Sequence, residues 1–224
     1  MNTDTSARTT PNPRTLMTDN TDRPISQVGN RVMGRNVALQ LEVEPAMRAL
    51  YQQLSEWMAG ISGPTRSAPL VYSIPVLGNL KTDRIEAPSL MIDSDSAPRE
   101  IIFNFKRCGR EGLKATPANS DLYFDTRKQL FDYHLKFRAG IAATVGKITV
   151  EPEVPVELVF TVDEDNVAVV LSALNFFSLG TMNYTFRPSK IDDQLMRALI
   201  LAIENKSNDF FVLASESNTR RRKK

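Results

Sequence analysis

The chain has one cysteine and one histidine among its 224 residues, and this scarcity excludes several kinds of site. Cys108 has no second cysteine with which it could form an internal disulfide bond. Cys108 and His134 together cannot supply the four ligands of a structural zinc site. We therefore expect no disulfide framework, no metal and no cofactor, and a reducing, cytoplasmic compartment fits this composition best.

Long hydrophobic runs are also missing. The longest mostly apolar stretch, residues 167–177, is far shorter than the roughly 20 residues that cross a bilayer, and Ser172 and Asn175 interrupt it. The first two dozen residues are polar and contain prolines, without the apolar stretch of a secretory signal. The sequence thus predicts a soluble protein with no membrane span.

The formal net charge of +2 hides an uneven distribution of charge. Residues 1–36 carry five arginines and three aspartates, whereas residues 220–224 are all basic. Residues 37–219 carry 18 basic and 23 acidic side chains, a net charge of −5. Because partners respond to local fields, we interpret the chain as an acidic body with a basic arm at each end.

Periodicity divides the chain in the same way. Residues 1–36 show neither a helical nor a strand period and predict a disordered N-terminal arm. Residues 37–214 have the length and apolar content of a single β-rich globular domain with flanking helices. Residues 215–224 are predicted to form a disordered basic tail.

Two helices are predicted, one at each end of the domain. The first covers residues 44–61, where apolar residues recur at steps of three and four and Pro45 suits a first helical turn. The second follows Ser189, which has Asp192 three residues on, as at a helix start. The expected buried positions are Met47, Leu50, Tyr51, Leu54, Trp57, Met58 and Ile61 in the first helix, and Ile191, Leu195, Leu199 and Ile203 in the second.

Alternating apolar residues between positions 100 and 187 predict strands. The alternating sets are Ile101, Phe103 and Phe105; Phe131, Tyr133, Leu135 and Phe137; and Val156, Leu158, Phe160 and Val162. A turn at 163–166 predicts an antiparallel hairpin with 167–177, and a short strand follows through Tyr184 and Phe186. Residues 69–98 are expected to form edge strands and loops. The predicted fold is α+β, mainly an antiparallel sheet (a meander, sandwich or partly open barrel) with a helix from each end packed on it.

Few motifs resemble a functional site. Residues 29–36 have the glycine spacing of a phosphate-binding loop, but Arg35 and Asn36 stand where Lys and Ser or Thr are needed, so we interpret them as a linker. Hard cations favour paired carboxylates as ligands. The three aspartate pairs of this sequence fall at predicted turns and helix starts, where backbone capping explains them. These pairs are Asp93 with Asp95, Asp163 with Asp165, and Asp192 with Asp193.

Cys108 and His134 are the two candidate reactive side chains. The cations of Lys106, Arg107 and Arg110 could lower the pKa of the Cys108 thiol, although a basic loop at a strand end is the simpler interpretation. His134 is predicted on the polar face of a strand beside Asp132, where it could act as a general base. The sequence shows no nucleophile linked to His134, and an ordinary surface or partly packed histidine is the alternative interpretation.

Nucleic-acid contact has two candidate features. The phenylalanines Phe103, Phe105, Phe131, Phe137 and Phe160 could stack on bases, but their alternation predicts a core, and the interleaved Lys106, Arg107, Lys136 and Arg138 form only a thin basic track. The terminal run of Arg220, Arg221, Arg222, Lys223 and Lys224 could neutralise phosphates, or could act only as a solubility tail.

Three functions follow from these patterns. The first is a non-enzymatic interaction or assembly protein, an adaptor or structural component that docks a protein partner or a copy of itself. The second is a nucleic-acid-associated protein that uses its basic C-terminal tail. The third is an enzyme centred on Asp132 and His134, because sequence order does not reveal spatial clusters.

Overall fold

The computed structural model describes residues 33–142 and 145–219. Within these ranges the chain forms four helices, a curled six-stranded antiparallel sheet and a separate three-stranded sheet. The predicted fold, an α+β protein that is mainly antiparallel sheet with helices at both ends, is therefore confirmed. Among the described residues, no helix is both long and apolar enough to cross a bilayer.

The helices and strands follow one another along the chain with short connections. Helix α1 is a continuous run over 33–59, in which a π-helical turn, Leu39–Val43, precedes the α-helical segment Glu44–Ala59. The other helices are α2 (Ser120–Asp132), α3 (Asp193–Ile203) and α4 (Asp209–Thr219), with a 3-10 turn at Pro188–Lys190. The strands are β1 (Thr65–Ile74), β2 (Gly78–Ile92), β3 (Glu100–Cys108), β4 (Leu113–Ala115), β5 (Phe137–Ala142), β6 (Val145–Val150), β7 (Glu153–Asp163), β8 (Ala168–Leu174) and β9 (Thr181–Phe186).

Helix α1 begins earlier than the predicted start at residue 44. Pro45 occupies the first turn of the segment Glu44–Ala59, as expected, but that segment continues a helix already formed over 33–43. The N–H of Glu44 donates to the carbonyl of Leu39, five residues earlier, and this bond defines the π-helical turn. The next residue, Pro45, has no N–H to donate. Residues 33–36 of the predicted N-terminal arm are therefore helical, and the rest of that arm lies outside the described residues.

The six-stranded sheet has the order β1-β2-β3-β7-β8-β9, and all neighbours are antiparallel. The predicted strands through Phe103, Phe160 and Tyr184 and the hairpin between β7 and β8 are confirmed. Strand β1 is an edge strand as expected, but β2 is not, because it pairs on both sides. Its Pro88 is tolerated where the β2–β3 register shifts between Glu86 and Ser89.

The predicted strand through Phe131, Tyr133, Leu135 and Phe137 is wrong. Phe131 lies in α2, and β5 begins only at Phe137. Between them the chain makes a left-handed helix end: His134 has φ 54°, and the N–H of Leu135 bonds to the carbonyl of Leu130 at 2.9 Å. The two-residue spacing of these apolar residues is coincidental, because Phe131 is an exposed helix residue whereas Leu135 is buried beyond the turn.

The larger core lies between the six-stranded sheet and helices α1, α3 and α4. The predicted α3 stripe is buried there, and so are the α1 residues Met47, Leu50 and Leu54. Asp192, rather than Ser189, caps α3, since its carboxylate accepts a hydrogen bond from the N–H of Leu195 at 2.9 Å. Helix α4 continues to Thr219, so the first five residues of the predicted tail segment 215–224 are helical.

The smaller core lies between the three-stranded sheet, helix α2 and one end of the six-stranded sheet. The chain leaves the larger sheet after β3, builds β4, α2, β5 and β6, and returns to it at β7. The order of the smaller sheet is β4-β6-β5. Its buried residues include Tyr72, Tyr123, Leu130, Ile148 and Val150. One face of the small sheet is thus covered by α2.

Candidate functional site

Asp132 and His134 do not form a pair on one strand face. Asp132 is the last residue of α2 and contacts the ammonium of Lys128 at 2.9 Å. His134 is exposed in the turn that ends the helix, where its backbone N–H bonds to the carbonyl of Phe131. The structure therefore contradicts the strand arrangement that suggested an acid–base site at these residues.

Cys108 is a buried side chain, 3% exposed, rather than an activated thiol. Burial raises the pKa of its thiol to about 11, and the carboxylates of Glu86 and Glu153 add to this effect. Two of the cations that could lower this pKa contact carboxylates instead: Lys106 contacts Glu153 at 3.3 Å, and Arg110 contacts Asp83 at 3.5 Å. The structure thus does not fit the alternative of an activated thiol, and Cys108 lies at a strand end, the last residue of β3, as the simpler interpretation had it.

Arg107, the third of those cations, is completely buried and stabilises the end of α3. Its Nη2 donates to the carbonyl of Ile203 at 2.9 Å and to that of Ala202 at 3.3 Å. Its guanidinium lies 5.6 Å from the centre of the Phe105 ring, and burial lowers its pKa. A cation at a helix C-terminus satisfies carbonyls that the helix cannot pair.

One aspartate of each acidic pair serves backbone capping, as expected. Asp93 accepts hydrogen bonds from the N–H groups of Arg99 and Glu100, at 2.9 and 3.0 Å. These bonds lower the pKa of Asp93. Asp163 accepts from the N–H of Asn166 in the β7–β8 turn. No group of three potential metal ligands occurs among the residues that the structure describes.

Two other candidates lie partly or wholly outside the described residues. The glycine-rich stretch at 29–36 is described only from Met33, where the chain is already helical. The basic run Arg220 to Lys224 lies outside the described residues. The candidate surfaces below are formed by other residues.

The first surface is the aromatic face of α2, which consists of Phe124 and Phe131. These rings are 57% and 73% exposed, and seven residues place them on the same side of the helix. The helix buries Tyr123, Thr126 and Leu130 instead. Phe124 and Phe131 each follow one of these buried residues in the sequence and therefore lie beside the buried face. Phe131 contacts the ring of Phe137 at 6.1 Å between centroids. Two large apolar rings are therefore presented to solvent, although Phe131 was expected in the core.

The second surface is the cationic face of the small sheet, which consists of Lys114, Arg138, Lys147 and Thr149. Cross-strand pairing places Lys114 opposite Thr149 and Thr149 opposite Arg138, so the three side chains form a row across β4, β6 and β5. Lys147 lies two residues from Thr149 on the same face. The opposite face carries the buried Ile148 and Val150 and is covered by α2. All three cations therefore point away from α2.

This face is free of acidic side chains. The segments Leu113–Ala115, Phe137–Ala142 and Val145–Val150 contain no Asp or Glu at all. Among the described residues, Lys114, Arg138 and Lys147 take part in no ion pair, whereas the nearby Lys136 contacts Glu153 at 3.3 Å. The sheet thus carries a net charge of +3 on a body whose net charge is −5.

A concave surface adjoins the cationic face. An open cavity of about 700 Å³ is lined by Lys114, Arg138 and Thr149 on the sheet side. The loop residues Glu111 and Gly112 and the segment 150–152 also line this cavity. The loop is held close to the sheet, since a Cβ on Gly112 would come within 2.1 Å of the carbonyl oxygen of Val150. Neither Asp132 nor His134 lines this cavity.

Sequence reasoning missed both surfaces for one reason. The helix α2 was interpreted as the beginning of a strand, which placed Phe131 in the core and left Lys114 and Lys147 without a common face. The available signal was the lack of acidic residues over 133–150, next to the acid-rich stretch 151–165.

Comparison with known proteins identifies no relative, because no family model, curated protein or solved structure matches the chain.

Proposed function

We propose that this chain is a non-enzymatic interaction or assembly protein that docks a protein partner or a copy of itself through the aromatic face of α2. The observation that carries this proposal is the exposure of Phe124 and Phe131 on one side of a short helix. Burying one phenylalanine side chain contributes about 1.5–3 kcal/mol, so two exposed rings offer a partner substantial binding energy. Neighbouring exposed aromatics are typical of the centre of a protein interface.

A further apolar set supports an interaction role. Met33, Val37 and Leu41 follow one another at steps of four along α1 and are 72%, 52% and 72% exposed. This spacing gives a continuous stripe on the outer side of the helix, while Leu39 and Val43 are buried. The proposal rests on the aromatic face, and the stripe on α1 is a second place where a partner could contact the protein.

The proposal is tested by comparing protein recovery from native lysate, with nuclease present, for the natural chain and a Phe124→Ala, Phe131→Ala double variant. We expect defined proteins, or additional copies of the chain, to be recovered with the natural sequence and lost with the double variant. The control is Met91→Ala with Val212→Ala, which removes two side chains of similar exposure elsewhere. Sedimentation of the natural chain at rising concentration measures self-association in parallel.

Two outcomes would contradict the proposal. The natural chain could sediment as a monomer at every concentration and recover nothing beyond what the double variant recovers. Alternatively, the control variant could lose the same partners as the Phe124→Ala, Phe131→Ala variant, which would remove any specific role for the aromatic face.

A further inference from the structure

We propose that the cationic face of the small sheet binds the phosphate backbone of single-stranded nucleic acid. Lys114 and Arg138 flank Thr149 across three strands, and Lys147 extends the row along β6. Neighbouring strands lie about 4.8 Å apart, so the backbones at Lys114 and Arg138 are separated by about 10 Å. The row thus offers three cations and one hydroxyl to a chain of phosphates.

The cationic face brings three cations together on sheet segments that contain no Asp or Glu. Several other surface cations contact a carboxylate, as Lys106 and Lys136 contact Glu153 and Arg99 contacts Glu164. The three cations of the sheet face are not neutralised in this way by any described residue. When a nucleic acid binds these cations, counterions are released from its phosphates, and this release contributes to the affinity.

The shape of the surface favours a nucleic-acid strand over a bilayer. Two of the three cations, Lys114 and Arg138, line an open concave cavity of about 700 Å³, and Lys147 lies outside its lining. A groove of positive charge that follows a phosphate backbone is a common arrangement for single strands.

The same features predict binding that is independent of base sequence. The small sheet's aromatic residue, Phe137, packs against the smaller core, on the side that faces α2. Contacts to phosphates position a nucleic acid but carry no base information. Glu111 and Glu151 also line the cavity, so its lining carries two acidic and two basic side chains.

The salt dependence follows from the number of cations. Neutralising three phosphates of a single strand gives a slope of about −2 for the logarithm of affinity against the logarithm of salt concentration. Raising the salt concentration from 50 to 200 mM should therefore weaken binding by roughly 15-fold. The inference does not rest on the aromatic face of α2, which lies on the other side of the sheet.

The test measures fluorescence anisotropy of a labelled 20-nucleotide oligothymidine with the full-length chain. The site variant is Lys114→Gln, Arg138→Gln, Lys147→Gln, and the matched control is Arg187→Gln, Lys190→Gln, Arg197→Gln, which removes three exposed cations elsewhere. We expect the natural chain and the control to bind with the stated salt slope. The site variant should lose at least about tenfold in affinity at 50 mM salt and most of the slope. Thermal unfolding of each variant verifies that the fold is retained.

A second comparison separates the sheet from the basic terminus. Both the natural sheet and the site variant are placed in a full-length chain in which residues 220–224 are replaced by glutamine. We expect the sheet substitutions to weaken oligothymidine binding in this background as well. Equal affinity of the two chains there, or equal loss in the site variant and its control, would overturn the proposal.

The probe set excludes the other polyanions. Vesicles containing phosphatidylserine and a polyglutamate of similar charge are measured under the same conditions. Binding of vesicles or polyglutamate by the sheet face, without binding of oligothymidine, would overturn the assignment to nucleic acid. None of these outcomes depends on Phe124 or Phe131, so failure here and failure of the proposed interaction role are distinguishable.

Discussion

Gly146 marks the closest approach of β6 to helix α2. A Cβ at this position would lie 2.2 Å from Cδ2 of Tyr123, a ring that is itself buried. We expect Gly146→Ala to destabilise the protein by about 1–3 kcal/mol, because an added methyl in a packed core displaces side chains or backbone. Chemical denaturation measures this change as a lower midpoint with an unchanged slope.

Gly140 provides the control for this substitution. It lies on the neighbouring strand β5, and a Cβ there would meet nothing within 4 Å. Gly140→Ala should leave stability unchanged or raise it slightly, since alanine loses less backbone entropy on folding. Equal losses for the two variants would mean that Tyr123 does not pack against Gly146.

At the scale of single elements, the end of α2 is set by a left-handed residue. His134 has φ 54°, which costs a side chain with a Cβ roughly 1 kcal/mol relative to glycine. We expect His134→Gly to stabilise the protein by about 0.5–1 kcal/mol. The measurement is the free energy of unfolding from urea titration.

The matched substitution is Lys136→Gly, two residues further along the chain. Lys136 is also exposed and is not among the residues with positive φ. Glycine there should destabilise the protein by about 0.5–1 kcal/mol through backbone entropy, and loss of the exposed contact to Glu153 should add a smaller amount. A loss of stability in His134→Gly would show that the imidazole makes contacts worth more than the backbone strain it imposes.

The same helix end explains how far the sequence could predict this fold. Strands β3 and β7 were predictable because Phe103 and Phe160 alternate with half-exposed neighbours over a long, uninterrupted stretch. Helix α2 was not, since its buried stripe is short and Phe124 and Phe131 lie outside it. Strand β4 has only three residues, too few for any period to be recognised.

The candidate surfaces were unpredictable for a related reason. Lys114, Arg138 and Lys147 are separated by up to 33 positions and share a face only because β6 pairs with both β4 and β5. Cross-strand register is set by tertiary packing rather than by local periodicity. Capping by Asp93, Asp163 and Asp192 could be predicted, because it depends on residues a few positions away.

At the scale of the whole molecule, Asn175 connects the two cores. Its buried amide donates to the carbonyls of Tyr133, at the end of α2, and Pro155, in β7, at 2.8 and 3.0 Å. Its Oδ1 accepts from the N–H of Gly180, and its backbone carbonyl accepts from the hydroxyl of Tyr72 at 2.8 Å. One side chain thus ties the unit of β4, α2, β5 and β6 to the six-stranded sheet.

We therefore expect Asn175→Ala to loosen the smaller unit more than the larger one. Three side-chain hydrogen bonds are lost and their buried partners remain unpaired, which should cost about 2–4 kcal/mol of global stability. Because the bond to Tyr133 holds the end of α2, amides of α2 and β6 should exchange faster than those of β3 and β7. Hydrogen exchange read by mass spectrometry measures this difference. The control is Asn183→Ala on the exposed side of β9, which should leave the amides of both units protected. Uniformly faster exchange across both sheets in Asn175→Ala would contradict the prediction and show that the two cores unfold only together.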